Sequence, residues 1–573
     1  MRQTWDLESL YDEEHFDTFL IALHKQIFKL EMLSSLEKRI LLAQELRLSI
    51  LQASSFAYAL LSSNIHHKRA RGWEAALTSI SSELEKIWME IDAELTNRSN
   101  EEIEELGEPA IYFPLKERRD LAKLKLSVEQ EQLISDLSVD GYHSWGQFYK
   151  SFIATLTFPF RGKDLSAAQI ANKLFSPDRS VRVEAFASYE KVYAKEAPII
   201  AQFLNHLAGF RINVYEHRNW MSAVEDPLIH NRMSLKTLNS MWEAVTESRP
   251  VFAKFLMRKA ELLGVDKLSW HDLEAPLLEN QNEIPYEEGI TFIIKQFEKI
   301  SPKMADFARH AVESNWIETE DRPGKRQGAY FLSFPFTKET RIFMTYSGTV
   351  DNLYTLAHEL GHCFHSHQVF SLPEMAQHYR KNVAEVASTM AEMIVAEASI
   401  ERAKSKKEKI ALLGYRASRS LAYLIHLQSR YLFESRFYEK RKEKYLSPDE
   451  LNALMLEAQQ ECYSNSLSEY HPLLWASRLH FYLTDVPFYN FPYTFGCLFS
   501  FAIYRRIKKD PTAFEEAYIP FLHDTGMMST EELAKKHFNI DIETPEFWRE
   551  AVAATLRDVH EFLELTETAA TCM

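Results

Sequence analysis

The residues best suited to chemistry in this 573-residue chain form the run His358-Glu359-Leu360-Gly361-His362. Two histidines four positions apart on a helix lie about one turn from each other, so both imidazoles can bind a single tetrahedral Zn²⁺. Glu359 lies one step round the helix, where its carboxylate can contact a water held by the metal and take its proton as general base. The spacing predicts one zinc ion per chain and hydrolytic chemistry.

A catalytic zinc site needs a third protein ligand, and the sequence offers two candidates. His365 lies on the same helix face as His358, but its Cα would be ~10 Å further along the axis, which strains joint ligation. Glu385 is the better candidate, because it lies in an apolar stretch where a carboxylate without charged partners is costly. Pairing of Glu385 with an arginine or lysine is the alternative. Ser388 or Glu392, on the same face, would then orient the ligand histidines.

Two predicted elements position this motif. A helical pattern over residues 350–370 contains it, and either Thr349 or Ser347 can cap that helix. Its apolar circumference predicts a buried helix, in which histidine and glutamate need partners that a metal supplies. Residues 328–347, just before it, are aromatic and β-branched, which predicts a hairpin or two edge strands.

The predicted strands also favour peptide binding. An extended peptide can add to an exposed strand edge through main-chain hydrogen bonds, without its side chains being read. Gly328 and Ala329 would keep such an edge free of bulk. The same strands can equally serve to support the metal-binding helix, and the two interpretations are compatible.

The remainder of the chain is predicted to be helical. Only 15 of its residues are glycine, and apolar positions recur three and four apart through residues 1–190 and again through 382–567. Ser166 is a predicted helix N-cap, and the Pro- and aromatic-rich segment 487–496 interrupts the helical pattern. A change in pattern near residue 190 predicts an N-terminal helical domain over 1–190 and a catalytic domain over 191–573.

Composition excludes several classes of function. The 66 lysines and arginines against 82 aspartates and glutamates give a net charge of −16, which argues against a nucleic-acid partner. We expect no membrane partner and a cytoplasmic location, because no long apolar run or signal-peptide pattern is present. The scattered cysteines, without a CxxC pair, predict reduced structural thiols: Cys363, Cys462, Cys497 and Cys572.

Three stretches of the sequence resemble the oligoendopeptidase F branch of the thimet oligopeptidase family. They are Gly328-Ala-Tyr, the run from Tyr346 through the histidine motif to Ser366, and Ala384-Glu-Val-Ala-Ser-Thr-Met. The opening Trp5-Asp-Leu-Glu-Ser-Leu-Tyr is also similar to that branch. The resemblance is strongest over residues 190–565 and weaker before them.

This resemblance implies a mainly α, zincin-type metallopeptidase with a small β-sheet beside the zinc helix and a deep substrate channel. It implies a cytoplasmic enzyme that cleaves short peptides. By motif position, His358, His362 and Glu385 match the metal ligands and Glu359 matches the base. His365 matches a histidine beside the zinc helix that is not a ligand, and we expect it to contact substrate.

The family also has a segment rich in histidine and tyrosine near the end of its catalytic domain, which contacts substrate and stabilises the tetrahedral intermediate. The matching segment here contains His480, Tyr489 and Tyr493. A phenol or an imidazolium can donate a hydrogen bond to a developing oxyanion. Ordinary core packing is the alternative for these aromatic residues, and the spacing leaves open which tyrosine would act.

The sequence therefore favours a zinc endopeptidase acting on oligopeptides. One alternative is a related helical carboxypeptidase or dipeptidyl peptidase, which would need a cation, such as Arg341, to bind a terminal carboxylate. A peptide-binding protein without turnover is the other alternative.

Overall fold

The computed structural model describes residues 1–277, 283–508 and 510–567, and most of them are helical. The scarcity of glycine is in keeping with this content, because glycine weakens helix interiors. The α-helices, in chain order, are α1 Phe16–Glu31, α2 Leu36–Ser63, α3 Lys68–Leu95, α4 Asn100–Glu104, α5 Tyr112–Lys123, α6 Val128–Ser138, α7 Ser144–Thr155, α8 Ala167–Asn172, α9 Arg179–His217, α10 Glu225–His230, α11 Leu235–Leu262, α12 Tyr286–Ile300, α13 Pro302–Glu313, α14 Val350–Val369, α15 Lys381–Glu401, α16 Lys406–Leu421, α17 Leu427–Glu443, α18 Pro448–Cys462, α19 Leu474–Ser477, α20 Phe491–Ile507, α21 Pro511–Asp524, α22 Thr530–Phe538 and α23 Pro545–Glu567.

The strands of the described residues form two small sheets. They are β1 Phe158–Phe160, β2 Lys163–Leu165, β3 Ile317–Glu318, β4 Tyr330–Phe334 and β5 Glu339–Phe343. β1 and β2 make an antiparallel pair, while the second sheet has the order β3-β5-β4. In that sheet β3 runs parallel to β5, and β4 pairs antiparallel with β5 in the register Tyr330 to Phe343. The hairpin predicted over residues 328–347 is thus present, and β4 lies at the edge of its sheet.

The chain divides into two compact units, each built from three separate stretches of sequence. The first unit consists of the described residues of 1–128, 281–398 and 503–539. Its N-terminal helices share an apolar core with the second sheet, because Phe334, Phe343 and Met375 pack in the same cluster as the buried faces of α1 to α3. Trp5 contributes to this core, with its ring centroid 5.5 Å from that of Phe343.

The second unit consists of the described residues of 129–280, 399–502 and 540–573. Helices α11 and α16 both pack against the C-terminal helix α23. The predicted boundary at residue 190 falls inside α9, which is continuous from Arg179 to His217. The division into domains 1–190 and 191–573 stays a prediction.

Local sequence signals explain how several helices begin. The Thr349 side chain accepts from the Asn352 amide at the start of α14, and Asn352 returns the bond as a capping box, so Thr349 rather than Ser347 is the N-cap. Ser166 caps α8 in the same way, as predicted. Within the described ranges, no helix is both long and apolar enough to cross a membrane. Cys363, Cys462 and Cys497 are buried thiols, while Cys572 lies outside the described residues.

Candidate metal centre

Helices α14 and α15 of the first unit bring the predicted ligands together. The donor atoms of His358, His362 and Glu385 all lie within 4.8 Å of one another. His358 Nε2 is 3.7 Å and His362 Nε2 is 4.0 Å from Glu385 Oε2. Donor atoms at ~2.1 Å from a tetrahedral ion lie about 3.4 Å apart, so side-chain movements of up to roughly 1.4 Å would close the site. Two imidazoles and one carboxylate are a donor set that suits catalytic zinc, and the residues fit that metal.

The two histidines are held by different means. His358 Nδ1 lies 3.4 Å from Glu392 Oε2, so this carboxylate can fix the ring while Nε2 faces Glu385. His362 Nδ1 is buried and finds no hydrogen-bond partner among the described residues. The His362 ring instead stacks on Phe331 of β4, with centroids 5.1 Å apart and planes 22° from parallel. The small sheet therefore orients a predicted metal ligand by packing.

Glu385 is held by Ser388, one turn further along α15. The Ser388 hydroxyl lies 3.2 Å from the Glu385 backbone carbonyl and 3.4 Å from its Oε2. Both residues are buried, and the charges of His358 and then of Lys381 act on Glu385. Within the described residues Glu385 forms no ion pair with an arginine or a lysine, and its Oε2 faces His358 and His362, while its role as a ligand stays a prediction.

Burial and mutual charge control the protonation of this centre. Burial raises the pKa of Glu359 to about 7, an effect that the neighbouring Glu385 strengthens. Burial also raises the pKa of Glu385. For His358 burial acts in the opposite direction, but the hydrogen bond to Glu392 and the surrounding carboxylates outweigh it and raise the pKa. The pKa of His362 falls well below its usual value, chiefly through burial. A divalent cation would favour the ionised carboxylates and neutral imidazoles.

Gly361 permits the close approach of the two helices that carry the cluster. A Cβ at this position would lie 2.5 Å from the Ala387 carbonyl oxygen and 2.7 Å from Ser388 Cα of α15. These distances are shorter than van der Waals contact, so only glycine fits without moving the backbone. Gly361 thus allows α14 to lie close enough to α15 for the two histidines to face Glu385.

The predicted substrate residues Gly328 and Ala329 directly precede β4. Gly328 has φ +105°, a conformation that L side chains rarely adopt, and a Cβ there would meet no atom within 4 Å. Glycine is therefore favoured at residue 328 because it adopts a positive φ easily, and not because a side chain there would clash. Peptide binding by Gly328 and Ala329 stays a prediction.

His365 lies outside the ligand cluster. Its Nε2 lies 2.8 Å from the Thr525 hydroxyl, and its ring stacks on Tyr379 with centroids 3.8 Å apart. The side chain has no exposed surface, and burial lowers the pKa to about 3. These contacts connect α14 to the end of α21, while the predicted contact of His365 with substrate stays untested.

Arg341 does not provide the free cation that a carboxypeptidase would need. The side chain is fully buried; its Nε donates to the Asp6 carbonyl at 2.7 Å and its Nη1 to the Thr340 carbonyl at 2.8 Å. Its Nη2 forms an ion pair with Glu339 at 2.8 Å. The guanidinium is therefore committed to the first unit's own structure.

The aromatic segment predicted to assist catalysis belongs to the second unit. His480 Nδ1 lies 2.9 Å from Asn490 Oδ1, and its ring stacks on Tyr489 with centroids 4.9 Å apart. The rings of Tyr489 and Tyr493 are 6.0 Å apart. These residues form one aromatic group, and their predicted roles in catalysis stay predictions.

Comparison with known proteins identifies the family. A sequence profile described as Peptidase family M3 matches residues 174–554, about two thirds of the chain. The chain belongs to peptidase family M3. A second profile, described as Oligopeptidase F, matches residues 89–158 of this M3 peptidase.

Curated relatives and a solved structure agree with this assignment. The M3 peptidase is 23% identical over 576 residues to an oligoendopeptidase F homolog of Lactococcus lactis, covering 95% of this chain and 94% of the relative. It is 25% identical over 433 residues to oligopeptidase PepF of Bacillus subtilis, covering 74% of this chain and 64% of the relative. The crystal structure of oligoendopeptidase-F from Enterococcus faecium has the same fold, with a TM-score of 0.70 at 19% identity over 97% of this chain and all of that one.

These findings confirm the resemblance to the oligoendopeptidase F branch and the mainly α fold with small sheets. They also confirm that this M3 peptidase is an enzyme of the metallopeptidase class, so the alternative without turnover is set aside. Sequence reasoning missed the stacking of Phe331 on His362 and the Tyr379 and Thr525 contacts of His365, because no local pattern signals a contact between distant segments.

Proposed function

We propose that this M3 peptidase is a zinc-dependent endopeptidase that hydrolyses short peptides in the cytoplasm. The observation that carries the proposal is the cluster of His358, His362 and Glu385, with the buried carboxylate of Glu359 on the same helix. The buried cysteine thiols are in keeping with a reducing compartment. Arg341 is committed to other contacts, so it does not supply the cation that the exopeptidase alternative would need.

The protein residues have separate parts in the proposed reaction. His358, His362 and Glu385 hold the zinc, which when bound polarises the scissile carbonyl and lowers the pKa of a water molecule. Glu359 takes a proton from the attacking water at its carboxylate and passes it to the leaving amine. Its burial keeps the carboxylate basic, because desolvation disfavours the charged form.

Two further groups complete the proposal. The edge of β4 aligns the extended substrate, with Gly328 and Ala329 at its start. His480 with Tyr489 or Tyr493 donates hydrogen bonds to the carbonyl oxygen as its negative charge develops. The aromatic grouping of these three residues within the second unit supports a shared role.

The substitution Glu359→Gln tests the mechanism. It keeps the size of the side chain and leaves the three metal donors in place, so we expect zinc content near one ion per chain. Loss of the general base should lower kcat by about 10²–10⁴-fold. The substrate is a peptide blocked at both ends, which an endopeptidase cleaves and an exopeptidase does not. Full activity of the zinc-loaded variant would refute the role of Glu359.

A further inference from the structure

A cavity lies wholly within the second unit, and His480 and Tyr493, to which the proposed function gives a part in the reaction, are among its lining residues. Its volume is about 390 Å³, and much of its wall is aromatic or aliphatic, including Phe186, Tyr189, Trp270 and Leu427. Two arginines, Arg430 and Arg478, line the same cavity. An apolar pocket with a few convergent polar groups is the usual form of a small-ligand site.

Arg430 is buried in the wall of this cavity with neutral partners only. Its side chain is 7% exposed; Nη2 lies 2.6 Å from His426 Nε2, and Nη1 donates to Asn490 Oδ1 at 3.2 Å. His480 Nδ1 lies 3.5 Å from the same Nη1. The third nitrogen, Nε, is buried and has no hydrogen-bond partner in the described part of the chain. A buried guanidinium normally has a carboxylate to balance it, and Arg430 has none within 4.0 Å among the described residues.

Arg478, which is half-buried, also lacks a carboxylate partner among the described residues. Its Nε is also buried without a partner, and the described residues give it no ion pair. Burial, and next the charge of Arg478, lowers the pKa of Arg430 to about 9, so the two guanidinium charges act on one another. Their repulsion costs free energy that an anion between them would recover.

The neighbouring carboxylates do not supply that anion. Glu274 lines the cavity, but it is exposed and forms no ion pair with either arginine. Glu190 binds His471, and Asp272 binds Arg179 and Arg182. Asp272 is thus paired with two arginines and Glu190 with an imidazole, and within the described residues neither Arg430 nor Arg478 has a carboxylate within 4.0 Å.

We propose that this cavity binds the C-terminal residue of a peptide, with its carboxylate on Arg430 and Arg478 and an apolar side chain against the aromatic wall. Guanidinium groups bind carboxylates through parallel N–H···O bonds, and the apolar wall suits a side chain better than an inorganic anion. The inference rests on the proposed function for the peptide nature of the ligand. The carboxylate belongs either to the substrate or to a separate peptide.

Binding of two matched probes tests the proposal. N-acetyl-phenylalanine carries the carboxylate and N-acetyl-phenylalaninamide lacks it; their affinities for the zinc-loaded protein are compared by calorimetry. We expect the acid to bind about 10-fold or more tighter, the effect of a charge-assisted hydrogen bond. Arg478→Gln should abolish this difference and Arg478→Lys should keep part of it. Equal binding of acid and amide by the unmodified protein would overturn the proposal.

Two controls separate this site from others. A carboxylate can also bind zinc, but acid binding at the metal would persist in Arg478→Gln, and that result would overturn the proposal too. Arg161→Gln removes an exposed arginine of the second unit, paired with Glu184 at 2.9 Å, and should bind both probes as the unmodified protein does. Thermal unfolding of each variant shows that it is folded.

Kinetic measurements show whether the carboxylate belongs to the substrate or to a separate peptide. If it belongs to the substrate, amidation of a peptide's C-terminus raises KM and the acid probe inhibits competitively. If it belongs to a separate peptide, amidation leaves KM unchanged and the probe alters kcat. Either result supports the site. Failure of the proposed function is distinguishable, because it would abolish hydrolysis of every peptide while leaving the probe affinities as predicted.

Discussion

His358 and His362 differ in what holds the ring nitrogen that does not face Glu385. The Nδ1 of His358 faces the carboxylate of Glu392. The Nδ1 of His362 has no hydrogen-bond partner among the described residues, and the His362 ring stacks on Phe331 instead. A hydrogen-bonded carboxylate fixes both the tautomer and the orientation of an imidazole, whereas stacking fixes only its plane. The two predicted ligands should therefore respond to different substitutions.

The substitution Glu392→Gln should weaken zinc binding. It removes the negative charge beside His358 Nδ1 and keeps the side-chain volume, so the imidazole becomes less basic and less firmly oriented. Loss of such a partner typically costs about 10–100-fold in metal affinity. Because the glutamine amide oxygen can still accept a hydrogen bond from the histidine, we expect a loss near 10-fold. Competition with a chromophoric chelator measures it.

Glu397→Gln is the matched control for this prediction. Glu397 lies on the same helix and pairs with Lys508 at 2.6 Å, away from His358. Its substitution should leave zinc affinity unchanged. An equal loss of affinity in both variants would mean that Glu392 acts through the stability of α15 and not through His358.

At the scale of elements, the distance between α14 and α15 depends on a residue without a side chain. Glycine inside a helix is unfavourable, and Gly361 is retained where a Cβ would meet the backbone of Ala387 and Ser388. The sequence predicted both helices and the facing of their polar residues. It could not predict their spacing, because that depends on contacts between segments 26 or more positions apart.

Gly361→Ala should separate the two helices. Insertion of one methyl group into this contact is expected to cost about 1–3 kcal/mol of unfolding free energy and to weaken zinc binding. Gly72→Ala is the control, because a Cβ at Gly72 in α3 would meet no atom within 4 Å, and alanine should stabilise this helix by up to about 1 kcal/mol. Denaturant unfolding and chelator competition give the two readouts; unaltered zinc affinity in Gly361→Ala would contradict the argument.

Asp524 connects α21 to α22 and gives the protein a pH-dependent contribution to stability. The side chain is 10% exposed, and its Oδ2 accepts from Lys536 at 2.6 Å and lies 2.9 Å from His537 Nε2. Although burial alone would raise it, hydrogen bonds to His537, His523 and Lys536 hold the pKa of Asp524 well below its usual value. Since the folded pKa is the lower one, this stabilisation is complete above the unfolded pKa of about 3.9 and is lost as pH falls through the folded value.

Asp524→Asn should therefore destabilise the protein at pH 7 by about 1–3 kcal/mol, the usual cost of unpairing a buried charged group. The difference from the unmodified protein should shrink as pH falls below about 4, because the carboxylate of the unfolded chain becomes protonated there while that of the folded protein is still ionised. Urea unfolding at a series of pH values measures it. Asp306→Asn, at an exposed ion pair with Arg309, should have little effect at any pH. If the difference in unfolding free energy between Asp524→Asn and the unmodified protein grew toward acid pH, the predicted direction of the pH dependence would be wrong.

At the scale of the whole molecule, each unit is assembled from three stretches of sequence that alternate along the chain. Composition and helical periodicity predicted the mainly α fold, and the histidine motif predicted its chemistry. The sequence did not reveal that the stretches of the two units alternate along the chain. Helical periodicity indicates which face of a helix is buried, but not which distant helix packs against that face. The predicted boundary at residue 190 came from a local change in pattern within what is a continuous helix, α9.

A fragment containing residues 191–573 provides a test at this scale. It lacks the N-terminal helices whose core includes Phe334 and Phe343 of the sheet beside α14. We expect the fragment to expose that apolar surface, to aggregate or unfold, and to lose zinc binding, as followed by circular dichroism and metal analysis. Coexpression of residues 1–190 should restore solubility if the pieces assemble. A folded, zinc-binding fragment on its own would support an independent domain from residue 191.

The contact of His365 with Thr525 also bears on how the chain folds during synthesis. Helix α14, which carries two of the predicted ligands, is complete once residue 369 is made, but the hydroxyl partner of its buried His365 lies 160 positions further along the sequence. At ~5–20 residues per second, translation needs roughly 8–32 s to reach that partner. α23, which packs on α11 and α16, ends at residue 567. The first unit therefore lacks the His365 contact until residue 525 is made, and the second unit lacks a complete α23 until residue 567 is made. A ribosome-bound chain that stops before residue 525 carries the predicted zinc ligands without the hydroxyl partner of His365.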